Sequence, residues 1–220
     1  MRTRSIRFLL LAVAFVGVAS GIAFAATDIQ KFSFTGAQVS VGFFGSGEVT
    51  CADGTQGFVS AFGSLQGAEQ IFRQTGTPTT LANGVFVEID SFFNTCTNVG
   101  LSGSGGVANA LTPPDKKLTS AAMVGSASVQ DFGSGATVPV VFNVNVLGTG
   151  TATQSKSSGH SKTLGDKGGP IMITTSHSAN TNRSGTATGT ISIDGVAIDP
   201  QFYFSFLNLN DNSSTTISKL

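Results

Sequence analysis

Apolar and polar positions alternate over much of this chain. Val85, Val87 and Ile89 alternate with Phe86, Glu88 and Asp90. Val140, Phe142, Val144 and Val146 alternate with Val141, Asn143, Asn145 and Leu147. Phe32 and Phe34 share one strand face, and Val39, Val41 and Phe43 share another. Successive side chains of a strand point to opposite sides, so a period of two in β-branched and aromatic residues predicts half-buried strands. Between the runs lie Asp53-Gly54, Asn83-Gly84 and Asp194-Gly195. Such pairs tolerate the positive φ angles of two-residue hairpin turns. Residues 118–132 and 138–147 read as a hairpin about Gly133-Ser134-Gly135. Phe202 to Leu209 reads as a final aromatic strand entered through Pro200. Residues 65–74 lack a helical stripe. The 28 glycines have no fixed period, which excludes collagen and solenoid folds. The pattern predicts an all-β fold: a single antiparallel β-domain, a hairpin meander closing as a barrel or a sandwich.

The first residues follow a different rule. Arg2, Arg4 and Arg7 precede an apolar run from Phe8 to Val18, and Ala23-Phe24-Ala25 follows. A basic start, a short apolar middle and an Ala-x-Ala end make a secretory signal peptide. The run is shorter than the roughly 20 apolar residues a membrane helix needs. The expected organisation is residues 1–25 as a signal peptide, cleaved after Ala25 or Ala26, and residues 26–220 as one β-rich domain. No transmembrane segment is expected in the mature chain, which would be secreted, periplasmic or held at the cell surface. Without the three leader arginines, nine basic and twelve acidic side chains remain, a formal charge of −3. That balance gives no phosphate-tracking surface and argues against nucleic acid as a partner. Cys51 and Cys96 are the only cysteines. In an exported chain they are expected to pair, closing a loop of about 46 residues and stabilising the fold by about 3–4 kcal/mol.

Candidate chemistry is sparse. Residues 148–189 are rich in Ser, Thr and Gly and predict a pair of exposed edge strands. A hairpin of residues 152–163 and 171–182, centred between residues 167 and 168.5, would allow His160 to face His177 across the strands. Such a pair could share a metal ion, although a closed zinc site needs four ligands. Glu88 and Asp90 share a strand face at the spacing of paired carboxylates in glycoside hydrolysis, yet both rise from one strand and would not flank a sugar. Their simpler role is the outer face of a strand whose inner face is Val85, Val87 and Ile89. Asp131 is a further acid to consider. No Gly-x-Ser-x-Gly elbow and no Gly-Lys-Ser or Gly-Lys-Thr loop occurs, and no cofactor is called for.

The aromatic inventory is one-sided. The chain has 18 phenylalanines, one tyrosine and no tryptophan. The girdles of an outer-membrane barrel are therefore missing. Phenylalanine is expected to fill the core or to line a barrel cavity for an apolar ligand. The function expected first is that of an exported non-catalytic β-domain that binds a protein or surface partner or serves a structural role. The alternatives are a barrel carrier of a small apolar molecule in a Phe-lined cavity, and a hydrolase using Glu88 and Asp90 or a His160–His177 metal site.

Overall fold

The computed structural model describes residues 28–74, 77–164 and 171–219. The leader and its cleavage site lie outside the described residues. The chain forms β1 (Asp28–Thr50), β2 (Gln56–Gln74), β3 (Thr77–Asn94), β4 (Val99–Ala108) and β5 (Leu111–Thr112). It continues with β6 (Ser120–Asp131), β7 (Thr137–Gly148), β8 (Thr153–Thr163), β9 (Ile171–Ile193) and β10 (Val196–Lys219). Every pairing is antiparallel. The order β1-β2-β3-β4-β6-β7-β9-β10 returns to β1, because β10 pairs with both β9 and β1. These eight strands close a barrel, which removes the free edges that an open sheet leaves unpaired. Among the described residues no helix is long and apolar enough to cross a membrane.

The sequence alternation becomes the barrel wall. Val39, Val41 and Phe43, then Val85, Val87 and Ile89, then Val140, Phe142, Val144 and Val146 all point inward and are buried. Leu65, Met123, Ile191, Ile193 and Leu207 complete the packed interior. Large residues sit against glycine: Phe142 pairs with Gly125, and Phe43 lies against Gly63. This alternation of size lets side chains fill a narrow barrel. The core is mostly aliphatic. Phe43, Phe92 and Phe142 are buried, whereas Phe44, Phe58, Phe62, Phe86, Phe93, Phe132, Phe204 and Phe206 are exposed. The expectation of a phenylalanine core is thus reversed, with most rings outside the wall.

Two of the three Asx-Gly turns form where expected, as does the Gly-Ser-Gly turn between β6 and β7. Gly54 turns with φ 81°, and Asp194 and Gly195 both have positive φ, which matches a tight hairpin. Asn83-Gly84 is not a turn, because β3 runs through it. The Asn83 amide instead docks β5: its Nδ2 donates to Leu111 O at 3.0 Å and its Oδ1 accepts from Leu111 N at 3.3 Å. The Nδ2 also donates to Glu69 at 3.0 Å.

Beyond the Val39 row, β1, β2, β3, β9 and β10 run on past the barrel, and β8 adds to β9. Past Ala37, side chains on both faces of this extension are exposed or half-buried. Residues 153–163 form the expected exposed edge strand. β9 is not an edge, since β8, β10 and β7 all pair with it.

Candidate functional site

The feature that departs most from strand periodicity is a ring cluster on the outside of the barrel. Two β-bulges build it. In β10, Gly42 pairs with Phe204 and Phe43 pairs with Phe202, so Tyr203 is the extra residue. In β3, Phe62 pairs with Ser91 and Gly63 with Ile89, so Asp90 is the extra residue. A bulge re-aims a side chain, and here it places Tyr203 outside next to Phe204. The Tyr203 ring stacks on Phe62 at 5.6 Å and 11° and meets Phe204 edge-on at 5.0 Å. Phe44 lies 6.3 Å from Tyr203, and Phe206 stacks beyond Phe204 at 6.3 Å. Gly42 lies directly beneath. A Cβ there would collide with the Phe204 ring and come within 2.5 Å of the Tyr203 ring, so only glycine lets both rings lie over β1.

These five rings span β1, β2 and β10, and each stays open to solvent, from 39% for Phe204 to 50% for Phe44. Single exposed apolar side chains are ordinary, but contiguous ones rimmed by polar groups mark interaction surfaces. The ionisable groups nearby are acidic: Asp199 faces Ser46, two residues from Phe44, with Glu48 two residues further along β1, Glu88 faces Ser64 beside Gly42, and Asp90 adjoins Ser91, the partner of Phe62. No lysine or arginine occurs at residues 40–66, 86–106, 120–147 or 184–206. Burial raises the Tyr203 phenol above its ordinary value, and the negative charge of Asp90 adds to the rise.

The other candidates are placed as follows. Glu88 stands on the outer face opposite Ser64 and Ser104. The bulge separates Asp90 from that regular alternation and brings it toward Tyr203. Asp131 caps the β6–β7 turn. Its carboxylate accepts from the Ser134 hydroxyl at 2.7 Å, Ser134 N at 2.8 Å and Ser102 N at 3.2 Å. The Ser134 bonds chiefly hold its pKa down to about 2. A carboxyl with a folded value below its unfolded one stabilises the fold above about pH 4 and loses that contribution as pH falls toward 2. Asp131→Asn should therefore flatten the fall in urea midpoint between pH 4 and pH 2 relative to the wild type. A parallel fall in both proteins would remove this role.

The β8–β9 hairpin is centred at 167.5, inside the expected range. His160 faces Thr175, with Nδ1 to Oγ1 at 3.3 Å, and His177 faces Ser158. The two rings are thus diagonal neighbours on one face rather than directly opposed. Among the described residues no group of three or more His, Cys, Asp or Glu side chains is placed to hold a metal ion. A cavity of about 350 Å³ beside His177 is walled by Lys156, Ser158, Asp211 and Ser213. A second, of about 160 Å³, lies over Gly36 between Phe34, Gln70, Asn180 and Asn210. Neither is ringed by phenylalanine. Cys51 and Cys96 are joined as a disulfide, Cα to Cα 5.1 Å, tying the β1–β2 turn to the end of β3.

The bulges and the ring cluster cannot be read from periodicity alone. The available signal is Phe202-Tyr203-Phe204, three successive aromatics that cannot all face one side of a strand. No known family model, curated protein or solved structure matches this chain.

Proposed function

We propose that this protein is an exported, non-catalytic β-barrel that binds a protein partner through the outer ring cluster. The partner surface it fits presents apolar side chains among lysines or arginines. The carrying observation is the contiguity of Phe44, Phe62, Tyr203, Phe204 and Phe206 outside a filled barrel. Aromatic residues dominate binding energy at interfaces, and acidic groups around them select a cationic partner. The leader sequence and the disulfide support export.

Tyr203 is the only tyrosine and no tryptophan is present, so tyrosine fluorescence reports on the cluster directly. A synthetic amphipathic peptide of lysine and leucine should bind saturably and change that emission. Phe62→Ser should weaken binding by roughly tenfold or more, as a central interface aromatic does. Val124→Ser, on the outer face of β6 across the barrel from β1, should leave it unchanged. Equal binding by a glutamate–leucine peptide, or no effect of Phe62→Ser, would refute the proposal.

A further inference from the structure

The extension below the barrel segregates its charge. Direct cross-strand partners share a face, and so do residues two apart on a strand. Lys156 lies in one row with Ala179, Asp211, Thr35 and Ile71. The next row holds Ser158, His177, Ser213, Ser33 and Arg73, and the one after it His160, Thr175, Thr215 and Lys31. The last holds Lys162, Ile173, Ile217 and Ile29. All belong to the face continuous with the barrel interior, because Ala37 and Val39 lie on the same side of β1. Lys31, Arg73, Lys156 and Lys162 on this face are exposed. Asp211 and Glu69 are the acids among them, and Asn83 already binds Glu69. The opposite face of residues 29–38, 68–74, 153–163, 172–182 and 208–218 carries no ionisable side chain and is built of Asn, Ser, Thr, Gln, Gly and apolar residues. Asn180, Asn182 and Asn208 there bond to one another.

One chain therefore carries two opposite surfaces. At one end, rings lie among Glu48, Glu88, Asp90 and Asp199. At the other, the isoleucine row Ile29, Ile173 and Ile217 lies among Lys31, Lys162 and Arg73. The second surface has the chemistry that the first one selects. We infer that the occupant of the ring cluster is a second copy of this chain, docked head to tail through the cationic face of its sheet extension. This rests on the ring cluster being a docking surface. The two surfaces differ, so the contact is heterologous, and a docked pair keeps one free surface of each kind, one on each copy. Copies then add in series instead of stopping at a symmetric pair.

Sedimentation velocity on the exported protein tests this with two variants altered only at exposed positions. Phe62→Ser with Phe204→Ser disables the ring cluster, and Lys31→Glu with Lys162→Glu disables the cationic face. Wild type should give a concentration-dependent series of oligomers. The association constant should fall at least about tenfold between 0.1 M and 1 M sodium chloride, as the screening length shrinks from about 10 Å to about 3 Å. Each variant alone should be monomeric, because each lacks one of the two surfaces. An equimolar mixture should give dimers and nothing larger, since one intact surface of each kind remains. Far-ultraviolet circular dichroism matching the wild type confirms that both variants are folded. A monomeric wild type at 0.1 M salt overturns the inference, as does either variant dimerising alone, which would indicate a symmetric contact such as β8 edge pairing. If the wild type is monomeric yet binds the lysine–leucine peptide, the ring cluster docks another partner and only the self-association fails.

Discussion

Replacing Phe142 with alanine should lower the unfolding free energy by about 3–5 kcal/mol, the cost of truncating a fully packed ring. Phe142 is 1% exposed and lies in the middle of β7, with Gly125 opposite it on β6. A Cβ on Gly125 would already sit 3.3 Å from the Phe142 Cζ and 3.1 Å from the Ala110 Cβ. The ring therefore occupies the space that Gly125 leaves empty. The barrel wall is held by hydrogen bonds on both sides of β7, so it cannot collapse inward to fill the hole. Limited collapse places the cost toward the upper part of the range. Urea denaturation followed by circular dichroism measures it. A loss below about 1 kcal/mol would mean that the interior rearranges freely and is not close-packed. The surface substitution Phe132→Ser serves as the contrast. Phe132 is 70% exposed on a turn, so its removal should change stability by no more than about 0.5 kcal/mol.

The parts of the fold visible in the sequence are those set by local pattern. The β6–β7 hairpin follows from alternation on both sides of a Gly-Ser-Gly turn. Asp194-Gly195 follows from the φ angles its residues tolerate. The centre of the β8–β9 pairing follows from the Gly-rich sequence between two polar strands. What cannot be read depends on partners far away in the chain. β9 is Ser- and Thr-rich and looks like an edge by composition, yet its lower half pairs with β8 and β10 and its upper half with β7 and β10. Composition cannot say which long-range neighbours a polar strand finds. Asn83-Gly84 has the chemistry of a turn, but its amide is used to hold β5 and its glycine to admit Val107 O, 2.8 Å from where a Cβ would be.

The candidate site is less legible still, for a related reason. A bulge is a single extra residue, and it leaves the composition of the strand unchanged. Shifting Tyr203 by one place turns it from the inner side to the outer. Phenylalanine carries no polar handle, so its presence alone predicts burial. The interior instead holds aliphatic side chains, because eight strands leave room for few rings, and most of the described phenylalanines lie outside. Glu88 and Asp90 alternate with buried aliphatic residues, which marks an outer face, and they are outside. Their association with the ring cluster comes only from the positions of β1, β2, β3 and β10 around the barrel.

The second large effect concerns how the barrel closes. β4 meets β6 through only two residue pairs, Gly103 with Asp131 and Ser104 with Gln130, before β5 takes over beside Met123. At this seam the inward positions of β4 are Gly103 and Gly105. A Cβ on Gly103 would collide with Gln130 O, and one on Gly105 with Ser128 O, so the β6 backbone passes against the face of β4. Gly105→Val should force the two strands apart and cost about 3 kcal/mol, as overpacking against a fixed backbone does. Gly105→Ala should cost less, but still more than a surface change. The damage should be local. Hydrogen exchange should speed up first at the amides of residues 103–104 and 130–131, while the β1–β10 and β1–β2 ladders stay protected. Asp131 reinforces the same place, since its carboxylate holds Ser102 N of β4 from the β6–β7 turn. Combining Gly105→Val with Asp131→Asn should then cost less than the sum of the two, because an open seam leaves Asp131 nothing on β4 to hold. Uniform loss of protection around the whole barrel, or strict additivity of the pair, would show that the ring opens elsewhere first.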